Sequence, residues 1–319
     1  MITRQRRTAS IIAAALVFLV MPSEHVAADE IELLPRWKKD EKLIFEMVKT
    51  REDSKDGKTT LKVSTRTELE VEVVKVSKDG YVLRWVTGET KFDDPKFAAD
   101  PFVRRISNLL QGNQVILEMD SRGSLKGVQN WKEVKETSVK VLDVAMEEMQ
   151  KAGFDKAMIA KIRAQTVSMV TTKEQVEQLC TREAELLFAV LGQSYAISKP
   201  NEFDGVLPNA LGGEPFPCRS VFSLKAVDKK ANRAVITWKQ TADRKEARRI
   251  MEKTLRDFAA QLGKQVPGEE LLKSMTIDDA AEFSVDITSG WIKTLTHTRT
   301  ATSGQRSRAD ITTITKKDQ

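Results

Sequence analysis

The chain has 319 residues, of which 40% are hydrophobic, 31% charged and 6% aromatic, with a formal net charge of +6. Lys and Glu are interspersed rather than blocked, which argues against a nucleic-acid binder. Two His and two Cys are too few for a zinc site of ordinary make-up, and no Walker, Rossmann or Gly-x-Ser-x-Gly pattern occurs.

At the N-terminus Arg4, Arg6 and Arg7 precede an apolar run from Ile11 to Val20, followed by Pro22 and the small residues Val26, Ala27 and Ala28. This order predicts an export signal over residues 1–28, cleaved before Asp29. The run is shorter than the roughly 20 residues of a spanning helix, although an uncleaved N-terminal anchor is the alternative. The remainder is then expected to be periplasmic or secreted. In such an oxidising compartment Cys180 and Cys218 would form one disulfide, closing a loop of 38 residues worth about 3 to 4 kcal/mol.

Beyond the signal, four regions follow: a first sheet half over 29–129, a helical insert over 130–192, a connector over 193–217 and a second sheet half over 218–319. In the first half, 42–51 and 59–76 alternate apolar and polar residues around the turn "EDSKDGK", predicting a long hairpin. A returning strand carries Trp85, Asp93 and Asp94 open a helix that ends at Gly112, and "LEMDSRGSLKGV" is a second hairpin. The insert opens at an Asn130 cap, with Trp131, Val134, Val141, Leu142, Ala145 and Met149 on one helical face, and ends its first helix at Gly153. Its last segment starts with a capping pattern at Thr172 and Gln175 and stops at Gly192. The connector is rich in Pro and Gly and reads as a loop.

The second half repeats the first. "VFSLKAVDKKANRAVITWKQTAD" is a strand pair carrying Trp238, a helix runs to Gly263, and "FSVDITSGWIKTL" is a hairpin in which Asp286 and Gly290 match Asp120 and Gly123. An insertion around "KQVPGEELLKSM" separates helix from hairpin in this copy. The unit is strand, strand, helix, strand, strand. The expected fold class is α+β: a long antiparallel curved sheet of about ten strands, an open barrel or half-barrel, with the helical insert packed on its concave face.

Asp120 and Asp286 directly precede turns, where Asp accepts backbone hydrogen bonds, so they read as turn formers rather than a catalytic pair. His297, on a Thr-rich strand, reads as a surface residue. No catalytic residue, cofactor or metal is assigned. Met146, Met149, Met158 and Met169 with Phe188 offer an adaptable apolar surface, so Met146, Met149, Met158 and Phe188 are the candidate lining of a cavity for a lipid or acyl ligand. Arg104 and Arg105, and the basic series from Arg244 to Arg256, allow peripheral contact with anionic head groups.

This layout resembles the periplasmic lipoprotein carrier superfamily, whose open barrel holds acyl chains under a helical lid. "LPNALGGEPFPC" and "DITSGW" are also similar to uncharacterised secreted bacterial proteins of the domain-of-unknown-function kind. The resemblance implies a non-catalytic carrier of apolar ligands. The residues leave a second reading open, a structural or interaction module of the envelope with a filled core and a protein partner. An enzyme would need a polar constellation that the sequence does not display.

Overall fold

The structure is a computed structural model that describes residues 30–168, 170–207, 209, 214–262 and 275–318. The expected export signal, Met169, Gly263 and nearly all of the "KQVPGEELLKSM" insertion lie outside these residues.

The first half supplies β1 (Glu30–Leu33), β2 (Lys42–Lys55), β3 (Lys58–Ser77), β4 (Gly80–Phe92), the short helices α1 (Pro95–Ala99) and α2 (Pro101–Leu110), then β5 (Gln114–Asp120) and β6 (Leu125–Val128). The insert holds α3 (Trp131–Lys151), α4 (Lys156–Ser168), α5 (Lys173–Cys180) and α6 (Arg182–Phe188). The second half holds β7 (Gln193–Ala196), β8 (Asn201–Leu207), β9 (Phe216–Asp228), β10 (Arg233–Ala242), α7 (Arg244–Leu262), β11 (Thr276–Asp286), β12 (Ile292–Ser303) and β13 (Arg306–Lys316). The connector is therefore not a plain loop: β7 pairs with β1 as a separate ribbon, and β8 joins the main sheet.

That sheet has eleven strands in the order β6-β5-β4-β3-β2-β13-β12-β11-β10-β9-β8, all neighbours antiparallel, and it does not close. Each half is a meander of adjacent strands, and the halves meet where β2 pairs with β13. The unit β3, β4, helix, β5, β6 advances across the sheet in the same sense as β9, β10, α7, β11, β12. Register supports the repeat. Gly80 pairs with Asp120 as Arg233 pairs with Asp286, and Trp85 and Trp238 each stand five residues beyond the first member of their pair. Both Trp side chains are buried in the same core.

Local chemistry sets the turns. The Asp120 carboxylate accepts from the Arg122 and Ser124 amides, each at 2.8 Å. The Asp286 carboxylate accepts from the Ser289 amide and the Asn232 side chain, each at 2.9 Å, so both Asp residues are turn formers. Gly290, at φ +77°, could not carry a side chain, because a Cβ there would lie 2.6 Å from the Leu34 carbonyl oxygen. Thr172 and Gln175 form the expected reciprocal capping box. Asn130 does not cap α3. Its side chain instead accepts from the Ile116 amide at 2.8 Å and donates to the Gln114 carbonyl at 2.9 Å, tying the helix start to β5.

One face of the sheet is apolar. Phe45, Leu69, Val71, Leu83, Leu117, Ile236, Phe283, Leu295 and Ile314 are buried there. The cover consists of Val176 on α5, Leu187 and Phe188 on α6, and Leu33 and Tyr195 from the β1–β7 ribbon. Trp37 stacks on Trp291 with ring centroids 4.4 Å apart, and Tyr81 and Phe188 pack around Trp37 at 4.9 and 5.3 Å. A second, smaller core under α7 holds Leu207, Phe216, Cys218, Ala242, Ala247 and Ile250.

The expected disulfide is not formed. Cys180 and Cys218 are both free thiols. The reason is topological, since Cys180 packs against the main core while Cys218 belongs to the second one.

Candidate functional site

Two open grooves run along α3. The first, about 610 Å³, is lined by Trp131 and Val139 with Lys132, Lys135, Glu136 and Lys140 around them. These positions recur at helical spacing, so among the described residues one stripe of α3 supplies the lining. The second, about 410 Å³, lies between α2 and α3 and is lined by Leu109 and Val144 with Arg105, Asn108, Lys140, Asp143 and Glu147. Lys140 borders both. Of the cations, Lys132 sits 5.9 Å from the centroid of the Trp131 ring, Lys135 donates to the Thr171 carbonyl at 3.3 Å, and Arg105 pairs with Glu147. The arrangement is an apolar floor with a mixed charged rim, in which Lys132, Lys135, Lys140 and Arg105 outnumber Glu136, Asp143 and Glu147, within the size range of small-ligand clefts.

The four residues expected to line a cavity are dispersed. Phe188 fills the aromatic core beside Trp37 and Trp291. Met146 is buried on α3, Met149 is half-buried and Met158 is exposed on α4. Neither groove along α3 is lined by any of them. The apolar stripe that faces a groove lies nearer the start of α3, around Trp131 and Val139. The sequence places Trp131 on this helical face but assigns the ligand surface to Met146, Met149, Met158 and Phe188.

A polar constellation that the sequence reading missed lies on the buried sheet face. His297 is 2% exposed and is not a surface residue. Its Nε2 is 2.7 Å from Asp279 Oδ1, and its ring stacks on Trp238 with centroids 5.8 Å apart. Arg299 donates through Nε and Nη2 to the two Asp279 oxygens, at 2.9 and 3.0 Å. The three come together because β11 and β12 pair in register, with Asp279 opposite Arg299 and Ala281 opposite His297. Burial alone would raise the Asp279 carboxyl, but the hydrogen bonds from His297 and Arg299 more than offset it and hold the group below its ordinary value. Farther along the same face Lys49 donates to Glu183 of α6 at 2.5 Å, anchoring the helical cover to β2. The network joins sheet strands to one another and lies outside the two α3 grooves.

Among the described residues, three cations of the basic repeat helices are ion-paired, Arg105 as described and two on α7. Arg248 bonds Glu252, and Arg249 bonds both Glu246 and Glu214. Burial pushes the Cys180 thiol up to about 11 and raises that of Cys218, so neither is an activated nucleophile. No cluster of three or more His, Cys, Asp or Glu suited to a metal occurs among the described residues.

No known protein family matches this chain. No curated protein matches it. A solved structure titled "Lipid-protein interactions in lipovitellin" is similar in shape over 88% of this chain, with a TM-score of 0.42 and 7% identity. The chain spans only 25% of that protein's length, and no function is carried over from it.

Proposed function

We propose that this protein binds an amphiphile with an acyl chain and an anionic head, held along α3. The observation that carries this reading is the apolar floor of Trp131, Val139, Leu109 and Val144 beneath a rim where Lys132, Lys135, Lys140 and Arg105 outnumber Glu136, Asp143 and Glu147. Burying an acyl chain against such a floor contributes about 25 cal/mol per Å² of apolar surface, and the lysines favour a carboxylate or phosphate head. The carrier acts outside the cytoplasm, as the N-terminal sequence suggests, and its kinship is with exported carriers of open-barrel form. Lys140→Glu is the direct test, because Lys140 is exposed, borders both grooves, and the change places a like charge beside the ligand head. A fluorescent fatty acid should bind the wild type saturably and the variant at least about tenfold more weakly, a difference of 1.4 kcal/mol, with the melting temperature held. Equal binding by both proteins, or none by the wild type, would refute the reading.

A second reading is favoured by the core itself. The space between sheet and cover is occupied by Trp37, Tyr81, Phe188 and Trp291, and the edge strand β8 exposes Phe203 and Val206. Those features suit an envelope module that recognises a protein partner at its sheet edge.

A further inference from the structure

The tips of two neighbouring hairpins gather three cations that, among the described residues, lie in no ion pair. In the β2–β3 hairpin Lys55 pairs directly with Lys58 across the turn Asp56-Gly57, and on its other side Lys55 pairs with Arg306 of β13. Three cationic side chains therefore stand in register on three adjacent strands. Like charges directly opposite one another destabilise a sheet, and sequences ordinarily avoid the arrangement. Among the described residues no carboxylate forms an ion pair with Lys55, Lys58 or Arg306. Two residues inward on each strand, Arg308 bonds Asp53 at 2.9 Å, but Asp53 is already held by Arg51 at 3.0 Å, so it neutralises neither cation fully.

The tips are also rigidly placed. The Asp56 amide donates to the Gln305 carbonyl at 2.9 Å, clamping one hairpin turn to the other. Asp56 and Gly57 both have positive φ, as a tight two-residue turn requires. Beneath the tips lies a concavity of about 510 Å³. Lys55, Arg306 and Arg308 supply three positive charges against the one carboxylate of Asp53, Ser303 and Ser307 contribute hydroxyls, and Ile277 forms part of its apolar wall.

The geometry points to an oxyanion site at these hairpin tips, taking a phosphate group from free phosphate or from a phospholipid head. An anion seated among Lys55, Lys58 and Arg306 turns the repulsive row into three charge-assisted contacts on a framework that is already fixed. The inference does not depend on the α3 groove, and Lys140→Glu should leave this site intact.

The test uses the full chain, a Lys55→Glu/Arg306→Glu double variant and two probes. Inorganic phosphate is titrated with the melting temperature as readout, and vesicles of phosphatidylcholine with and without phosphatidylglycerol are assayed by co-sedimentation. A single Arg306→Glu variant serves as the folding control. It replaces a like pair with an opposite pair and should melt no lower than the wild type in the absence of phosphate. The wild type should gain stability with phosphate, bind the phosphatidylglycerol vesicles, or do both, while the double variant loses at least about tenfold in affinity. A response to phosphate alone assigns the site to the free anion, and a response to vesicles alone assigns it to a lipid head. No response to either probe in the wild type, or equal responses in wild type and double variant, would overturn the site.

Discussion

His297 Nε2 and Asp279 Oδ1 lie 2.7 Å apart with both side chains essentially out of solvent, and Arg299 closes the pair from the other side of the carboxylate. A buried carboxylate so held is costly to remove, because its partners keep their charge or donor without an acceptor. Asp279→Ala should destabilise the protein by about 2–4 kcal/mol in urea unfolding at neutral pH. The Asp279 carboxyl is depressed in the folded state, so its contribution is fully present above the unfolded value of about 3.9 and is lost as pH falls through the folded one. The gap between wild type and variant should therefore stay constant from neutral pH down to about 5 and narrow only in stronger acid. A gap that narrows already between pH 8 and 6 would refute this account of Asp279.

Trp85 and Trp238 occupy matching register positions in the two units, at 7% and 9% exposure. Replacing either with Ala should cost about 3–5 kcal/mol. The pair are in different units, so the double variant should show a near-additive loss in chemical denaturation. A strongly non-additive result would mean that the two sites share one local packing unit.

Gly290 and Gly112 share a positive φ, yet differ in what surrounds them. A Cβ on Gly290 would meet the Leu34 carbonyl, whereas one on Gly112 would meet nothing within 4 Å. Gly112→Ala should cost about 1–2 kcal/mol, the price of left-handed backbone alone. Gly290→Ala should cost clearly more, since Leu34 or the turn must also shift. Thermal melts of the two variants side by side decide the matter, and equal losses would refute the close approach.

Both cysteines are free, and burial lifts Cys180 to about 11. At pH 8 only about one Cys180 in a thousand is then a thiolate. Alkylation of the native protein should be slow, and alkylation in denaturant should add two labels by intact mass. A mass lighter by two hydrogen atoms, with no labels, would restore the bridge that the sequence invites.

The hairpins, the Asp turn formers and the Thr172 capping box were legible because each is settled within a few residues. The repeat was legible because it preserves element order and its two Trp landmarks. The Asp279, His297 and Arg299 network was not read, although alternation carried the signal. Asp279 has the same parity as the buried Ala281, Phe283 and Val285, and His297 shares that of Leu295. Extending the core-facing parity to polar residues would have put both inside. The bridge expected between Cys180 and Cys218 failed for the opposite reason: counting cysteines says nothing about which core each enters. Asn130 was read as a cap from its neighbours, but β5, distant in the helical reading, offered its side chain a better pair of partners.

The seam between β2 and β13 has a kinetic consequence. Every other neighbour pair in the main sheet lies within one half of the chain, so each half can pair its strands as they emerge, while the seam waits for residues such as Met47 and Ile314 from opposite ends. Contacts so far apart in sequence carry the largest loop-closure cost and slow folding. Until Ile314 reaches Met47, β2 is an uncovered edge that invites association with other chains. Joining the two ends and opening the chain elsewhere would make this pairing local and shorten the vulnerable interval.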